Sequence, residues 1–127
     1  MRTALVLLSA ALLAACGSSK GPDEDVVRQD FERLLGSAKA AGLYSIVSVG
    51  AGTADAAGVS QHVKFNLEPT QTRVVADGLL KGLALKTGDA LSCGEAVLAY
   101  QRRDKSWVLA SYTLARRPQV GETQGGC

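Results

Sequence analysis

One histidine, one tryptophan and one methionine stand among 127 residues, charge is almost balanced, and no apolar run reaches the roughly 20 residues that cross a bilayer. Each shortage excludes something. The lone imidazole, His62, has no second histidine and no neighbouring cysteine or carboxylate cluster in the sequence, so the usual ligand sets of a metal site do not assemble around it. It also lacks a sequence signature for the nucleophile and orienting acid of a triad. An exposed histidine beside Gln61 and Lys64 is the expectation. Fourteen Lys and Arg against twelve Asp and Glu give a formal charge of +2, too small an excess to point to a nucleic-acid partner. No metal site and no cofactor site is expected, and with no catalytic constellation in sight the chain is not expected to be an enzyme.

What is present begins at the N-terminus. Met1-Arg2-Thr3 is a short cationic start, and Ala4 to Ala15 (ALVLLSAALLAA) is an apolar run of about a dozen residues, the length of a secretory leader. The run ends in Leu13-Ala14-Ala15-Cys16, which resembles the lipobox of bacterial lipoproteins. That resemblance implies that residues 1–15 are removed as a signal peptide and that Cys16 carries the lipid, so that the chain meets the membrane through it. Gly17 follows the cysteine, where an Asp resembles an inner-membrane retention signal in some Gram-negative bacteria. By that resemblance the expected address is the outer membrane, facing the periplasm. Loss of Arg2 lowers the formal charge to +1. Such a surface offers anionic lipid little attraction, and the acyl chains do the holding. Residues 16–22, the lipidated cysteine and GSSKGP, form a flexible tether. Residues 23–127 suffice for a single small domain.

With Cys16 claimed by lipid, Cys93 and Cys127 remain. A leader implies an oxidising compartment, where two such thiols are expected to bond. A Cys93–Cys127 bond would staple the Gly-rich tail to the domain, and a loop of about 35 residues would stabilise by roughly 3–4 kcal/mol in the chain-entropy model. An intermolecular bond or a reactive thiol at Cys127 is the alternative.

Pro22-Asp23-Glu24-Asp25 suits a helix start, with acids at the positive end of the dipole. Val27, Phe31, Leu34, Ala38 and Ala41 recur at helical spacing, and Gly42 is a plausible stop, giving one amphipathic helix of about 18 residues. Leu43 to Val49 reads as a strand, Gly50 to Gly58 as a flexible connection, and Val59 to Leu67 as a half-buried strand pairing back in a long-looped hairpin. Residues 69–91 fit either a short helix weakened by Gly78 and Gly82 or an irregular excursion. Leu91 to Gln101 and Trp107 to Ala115 are strands joined by the polar turn Arg102 to Ser106. The alternation of the last strand puts Trp107, Leu109 and Ser111 on one face, with Val108, Ala110, Tyr112 and Leu114 on the other. The expected fold is α+β: one N-terminal amphipathic helix packed on a curved antiparallel sheet of about four strands. In element order this layout is loosely similar to the cystatin-like and NTF2-like small folds.

Other candidates have ordinary readings. Gly50-Ala51-Gly52 lacks the third glycine of a dinucleotide loop, since Asp55 stands there, and precedes a strand where a phosphate site needs a helix. Asp23, Glu24 and Asp25 serve the helix dipole. Arg102, Arg103 and Lys105 make a basic hairpin tip that either protects the turn or meets an acidic partner or lipid headgroups, and Arg116 and Arg117 stand at the far end of the strand. Trp107, Tyr100 and Tyr112 either fill the core or line a concavity between helix and sheet. The functional expectation is an envelope lipoprotein working without catalysis, as an accessory, scaffold or inhibitor through contact with an unidentified envelope protein. The alternative is a module binding a small ligand or peptide in a helix–sheet cleft.

Overall fold

The computed structural model describes residues 21–54 and 58–121, with the backbone alone for 51–53. The leader, Cys16 and Cys127 lie outside the described residues. Gly21 and Pro22, expected in the tether, are half-buried, and Gly21 lies against Val59 and Gln61.

Helix α1 (Glu24–Leu35) starts where the amides of Val26 and Val27 donate to the Asp23 carbonyl at 3.0 and 3.2 Å, with Glu24 and Asp25 in the first turn. Its buried stripe is Val27, Asp30, Phe31 and Leu35, so Leu35 takes the place expected for Leu34, and an acid lies within the apolar face. The single long helix of the sequence reading is broken at Gly36. This residue adopts φ 55°, a left-handed conformation that disfavours a side chain, and a Cβ there would run into the Asp77 carboxylate. The short helix α2 (Ser37–Ala41) follows, burying Ala38 and Ala41.

The fold is α+β. The main sheet is antiparallel, in the order β1 (Gly42–Ala54), β2 (Gly58–Pro69), β5 (Leu91–Arg103), β6 (Ser106–Arg116). A fifth strand, β7 (Gln119–Val120), continues the line of β6 alongside the start of β5. The sheet therefore has five strands, four of them long. β1 overruns its expected end: the stretch through Ala54, expected as a flexible connection, is paired to β2, with Gly50 opposite His62 and Ala51 opposite Gln61. Residues 69–91 hold no helix. They form a two-stranded ribbon, β3 (Arg73–Val74) with β4 (Ala84–Leu85), whose Val75, Leu79, Leu80 and Leu85 close one end of the core. This clasp grips the helix break: the Leu79 amide donates to the Leu34 carbonyl at 2.6 Å, and the Ser37 amide donates to Asp77 Oδ1 at 2.8 Å. Carbonyls and amides orphaned where the helix stops are thereby satisfied.

The core lies between α1 and one face of the sheet: Val63, Phe65 and Leu67 of β2 with Ala96, Leu98 and Tyr100 of β5. The Phe31 ring packs 4.9 Å from that of Phe65 and 6.4 Å from that of Tyr44. A Cβ on Gly94 would stand 2.6 Å from the Phe65 ring, which is why the residue opposite Phe65 has no side chain.

The β6 faces differ from simple alternation. Ala99 pairs with Ser111 but Tyr100 with Leu109, so Ala110 is an inserted bulge residue. One extra residue returns the strand to the opposite parity. Trp107, Leu109 and Leu114 consequently all pack toward the core, and Tyr112, opposite Leu98, shares that side.

Candidate functional site

Two places gather chemistry-bearing side chains. One is the open face of the sheet. His62 on β2 and Glu95 on β5 project there, and His62 Nδ1 lies 2.7 Å from Glu95 Oε2. The imidazole is therefore not free of a carboxylate partner, as its sequence neighbours suggested. Lys64 stands opposite Glu95 in the register. The His62 and Glu95 side chains are 40% and 28% exposed, so the pair is in contact with solvent. An imidazole held by a carboxylate has a fixed orientation, and this pair has the character of a surface ion pair or hydrogen bond.

The second place lies between α1 and the sheet edge. Val26, Asp30, Arg33 and Leu34 of the helix and Trp107, Val108 and Leu109 of β6 line a groove of about 520 Å³. Its inner end is a buried polar tie. The Tyr100 hydroxyl donates to Asp30 Oδ2 at 2.6 Å, and the Arg33 guanidinium pairs with the other carboxylate oxygen. Tyr100 is 1% exposed and Asp30 5%. Burial pushes the Tyr100 hydroxyl up to about 12, although nearby Arg33 pulls the other way. A buried carboxylate is tolerated because donors meet both its oxygens. Val26, Leu34, Trp107 and Leu109 supply the apolar part of the lining, and Val26 is 41% exposed.

β6 is the last strand of the sheet, and among the described residues no strand pairs with its outer side. Arg102, Arg103 and Lys105 are exposed at its hairpin tip, where Asp104 turns the chain with φ 56°. The Arg102 guanidinium lies 5.7 Å over the Trp107 ring. Arg116 and Arg117 stand at the opposite end, so the two clusters flank the strand and do not merge. Among the described residues no carboxylate pairs with any of these five cations.

The remaining candidates separate. Asp23, Glu24 and Asp25 are exposed at the α1 start. Gly50-Ala51-Gly52 is strand backbone, with no helix N-terminus behind it. Tyr100 belongs to the buried tie, Trp107 to the groove, and Tyr112 is 46% exposed. Cys93 is buried and adopts φ 66° where β5 departs from its register with β2. Among the described residues no group of three potential metal ligands converges.

Sequence reasoning missed Asp30, Glu95 and Asp77. Only Asp30 had a visible signal, an acid set between Val27 and Phe31 on an apolar stripe.

No protein-family model, no curated protein and no solved structure matches this chain.

Proposed function

We propose that this chain is a lipid-anchored protein of the bacterial cell envelope that acts without catalysis, as an accessory, scaffold or inhibitor touching another envelope protein. The Leu13-Ala14-Ala15-Cys16 sequence supports the anchor at Cys16, and Gly17 supports the outer membrane, facing the periplasm. The observation that carries the contact role is the groove of about 520 Å³ beside an edge strand with an unpaired outer side. Apolar grooves and bare strand edges are the surfaces on which protein segments dock. The same groove supports the second reading, a module that takes a small apolar ligand or peptide between helix and sheet. The strand β7, which brings residues 119–120 beside Ser92 and Leu91, next to Cys93 and seven positions before Cys127 in the sequence, supports the tail staple. The succession of a helix and long antiparallel strands supports the likeness to cystatin-like and NTF2-like layouts.

Fractionation and crosslinking in intact cells test this function. The full chain is expected to sediment with outer membranes and a Cys16→Ser variant to be released, while crosslinking followed by mass spectrometry captures a second protein. Recovery of both forms in the soluble fraction would remove the anchor, and recovery of the monomer alone would remove the contact role.

A further inference from the structure

The β6 edge has an uneven charge distribution. From Arg102 to Arg117 there are five cations and a single acid, Asp104, although the whole chain carries only +2. The cations sit at the two ends, with an uncharged strand of Ser106 to Ala115 between them. Ten residues of strand separate the clusters by roughly 33 Å. Extra residues at Ala110 and Ala115 leave two regular stretches, Ser106 to Leu109 and Ser111 to Leu114, with an outer side that no described strand covers. Beneath the first stretch lies the groove, with Val26, Leu34, Trp107 and Leu109 as its apolar contacts.

The charge pattern discriminates between occupants. If a second copy added its own β6 antiparallel, Arg102, Arg103 and Lys105 would face Arg116 and Arg117 of that copy. If it added parallel, each cluster would face itself. Both pairings set like charges opposite one another, which is the usual protection of an edge against its own kind. A foreign strand with acids at its ends meets the opposite situation, being drawn at both ends and apolar where the groove is.

We propose that the β6 edge accepts an extended segment of a partner protein, about eight to ten residues long, with alternating apolar side chains and carboxylates at both ends. Backbone hydrogen bonds to β6 extend the sheet, the inward side chains beside Ser106 to Leu109 enter the groove, and the flanking acids meet the tip and the Arg116–Arg117 end. This assignment rests on the reading of the domain as a protein-contact module and names the surface and the chemistry of the contact.

Trp107 is the only tryptophan, so its fluorescence reports on the groove directly. The full chain in mild detergent is titrated with synthetic peptides of alternating valine and threonine. One peptide is flanked by glutamates and one by lysines, and two further glutamate-flanked versions are N-methylated along one backbone edge or the other. The glutamate peptide is expected to shift the emission saturably, with weaker binding as salt rises. The lysine peptide should bind at least about tenfold more weakly. One N-methylated version should fail and the other bind, because only one edge of the added strand faces β6. A triple variant, Arg102→Glu, Arg103→Glu and Lys105→Glu, confirmed folded by thermal unfolding, should lose preference for acid at the tip end. Equal affinity for the acidic and basic peptides, equal binding by both N-methylated versions, or no saturable shift overturns the assignment. If peptides fail while cellular crosslinks map to the open face around His62, the edge falls and the contact role stands. If neither probe captures anything, both fall.

Discussion

Replacing Tyr100 with phenylalanine removes one oxygen atom from the tie between sheet and helix and leaves the ring packing in place. Tyr100 and Asp30 are both buried, and their hydrogen bond is 2.6 Å long. A hydrogen bond to a charged acceptor is worth about 1.5–3 kcal/mol, and here its loss leaves Asp30 Oδ2 without its donor. Arg33 continues to hold the other oxygen, but its side chain is 76% exposed, so it compensates little. The expected cost is about 2 kcal/mol, which in a domain of roughly 100 residues lowers the melting temperature by about 8–16 °C. Burial of the same hydroxyl has a pH signature. It pushes the Tyr100 hydroxyl up to about 12 in the folded state, against an ordinary value near 10 in the unfolded chain. Because the folded value is the higher, the associated stability is complete below pH 10 and is lost as pH rises from 10 towards 12. Two pH units correspond to about 3 kcal/mol at most. Urea unfolding of the wild type and Tyr100→Phe at intervals from pH 7 to 11.5 measures both effects. The two stability curves should converge above pH 10, because only the wild type loses this contribution. A constant gap across that range, or a cost below about 0.5 kcal/mol at pH 7, would refute the reasoning.

Other substitutions probe the packing and the clasp. Gly94→Ala should destabilise by about 1–3 kcal/mol, because the new Cβ meets the Phe65 ring, and Phe65→Leu in the same chain should recover part of that loss. A double-mutant cycle from urea midpoints checks this, and strict additivity would refute it. Hydrogen bonds from the Ser37 amide and hydroxyl hold the Asp77 carboxyl below the usual carboxylate range. With the folded value depressed, the Asp77 contribution is present above the ordinary carboxylate value and is lost as pH falls through the folded one. Asp77→Asn should therefore flatten the acid limb of stability between pH 5 and 2, as followed by circular dichroism. Glu95→Gln should change stability by less than about 1 kcal/mol, since its partnership with His62 lies in solvent. A larger loss in thermal unfolding would show that the open face is covered by something that dries the pair.

The elements that could be read from the sequence are those whose pattern is local. The α1 stripe follows the helical period, and the inward residues of β2 alternate through Val59, Val63, Phe65 and Leu67, with the buried Gln61 as the one polar exception. Elsewhere tertiary pairing overrides local preference. Gly50-Ala51-Gly52 has poor strand propensity, yet the β2 register extends β1 through it. The helix-like spacing within residues 73–85 misleads, because their fold follows from closing the core over a helix break, with the Leu79 amide and the Asp77 carboxylate reaching back to Leu34 and Ser37. The parity of β6 turned on one bulge residue, Ala110, which has no signature of its own.

The functional groups divide in the same way. The five cations were legible as clusters, but their significance depends on the number of strand residues that keep them apart and on which strand ends the sheet. His62 and Glu95 are 33 positions apart and Tyr100 and Asp30 are 70 apart, separations at which no sequence motif forms. A domain held by lipid at Cys16 would be confined to two dimensions, where copies meet far more often than in free solution. An unpaired strand of 11 residues is a template for self-association under those conditions. Bulges at Ala110 and Ala115 shorten its regular stretches, and cations at both ends repel a second copy in either orientation. The edge is thus guarded against copies of itself yet left open on its outer side, and an edge guarded in that way admits a partner chosen by charge.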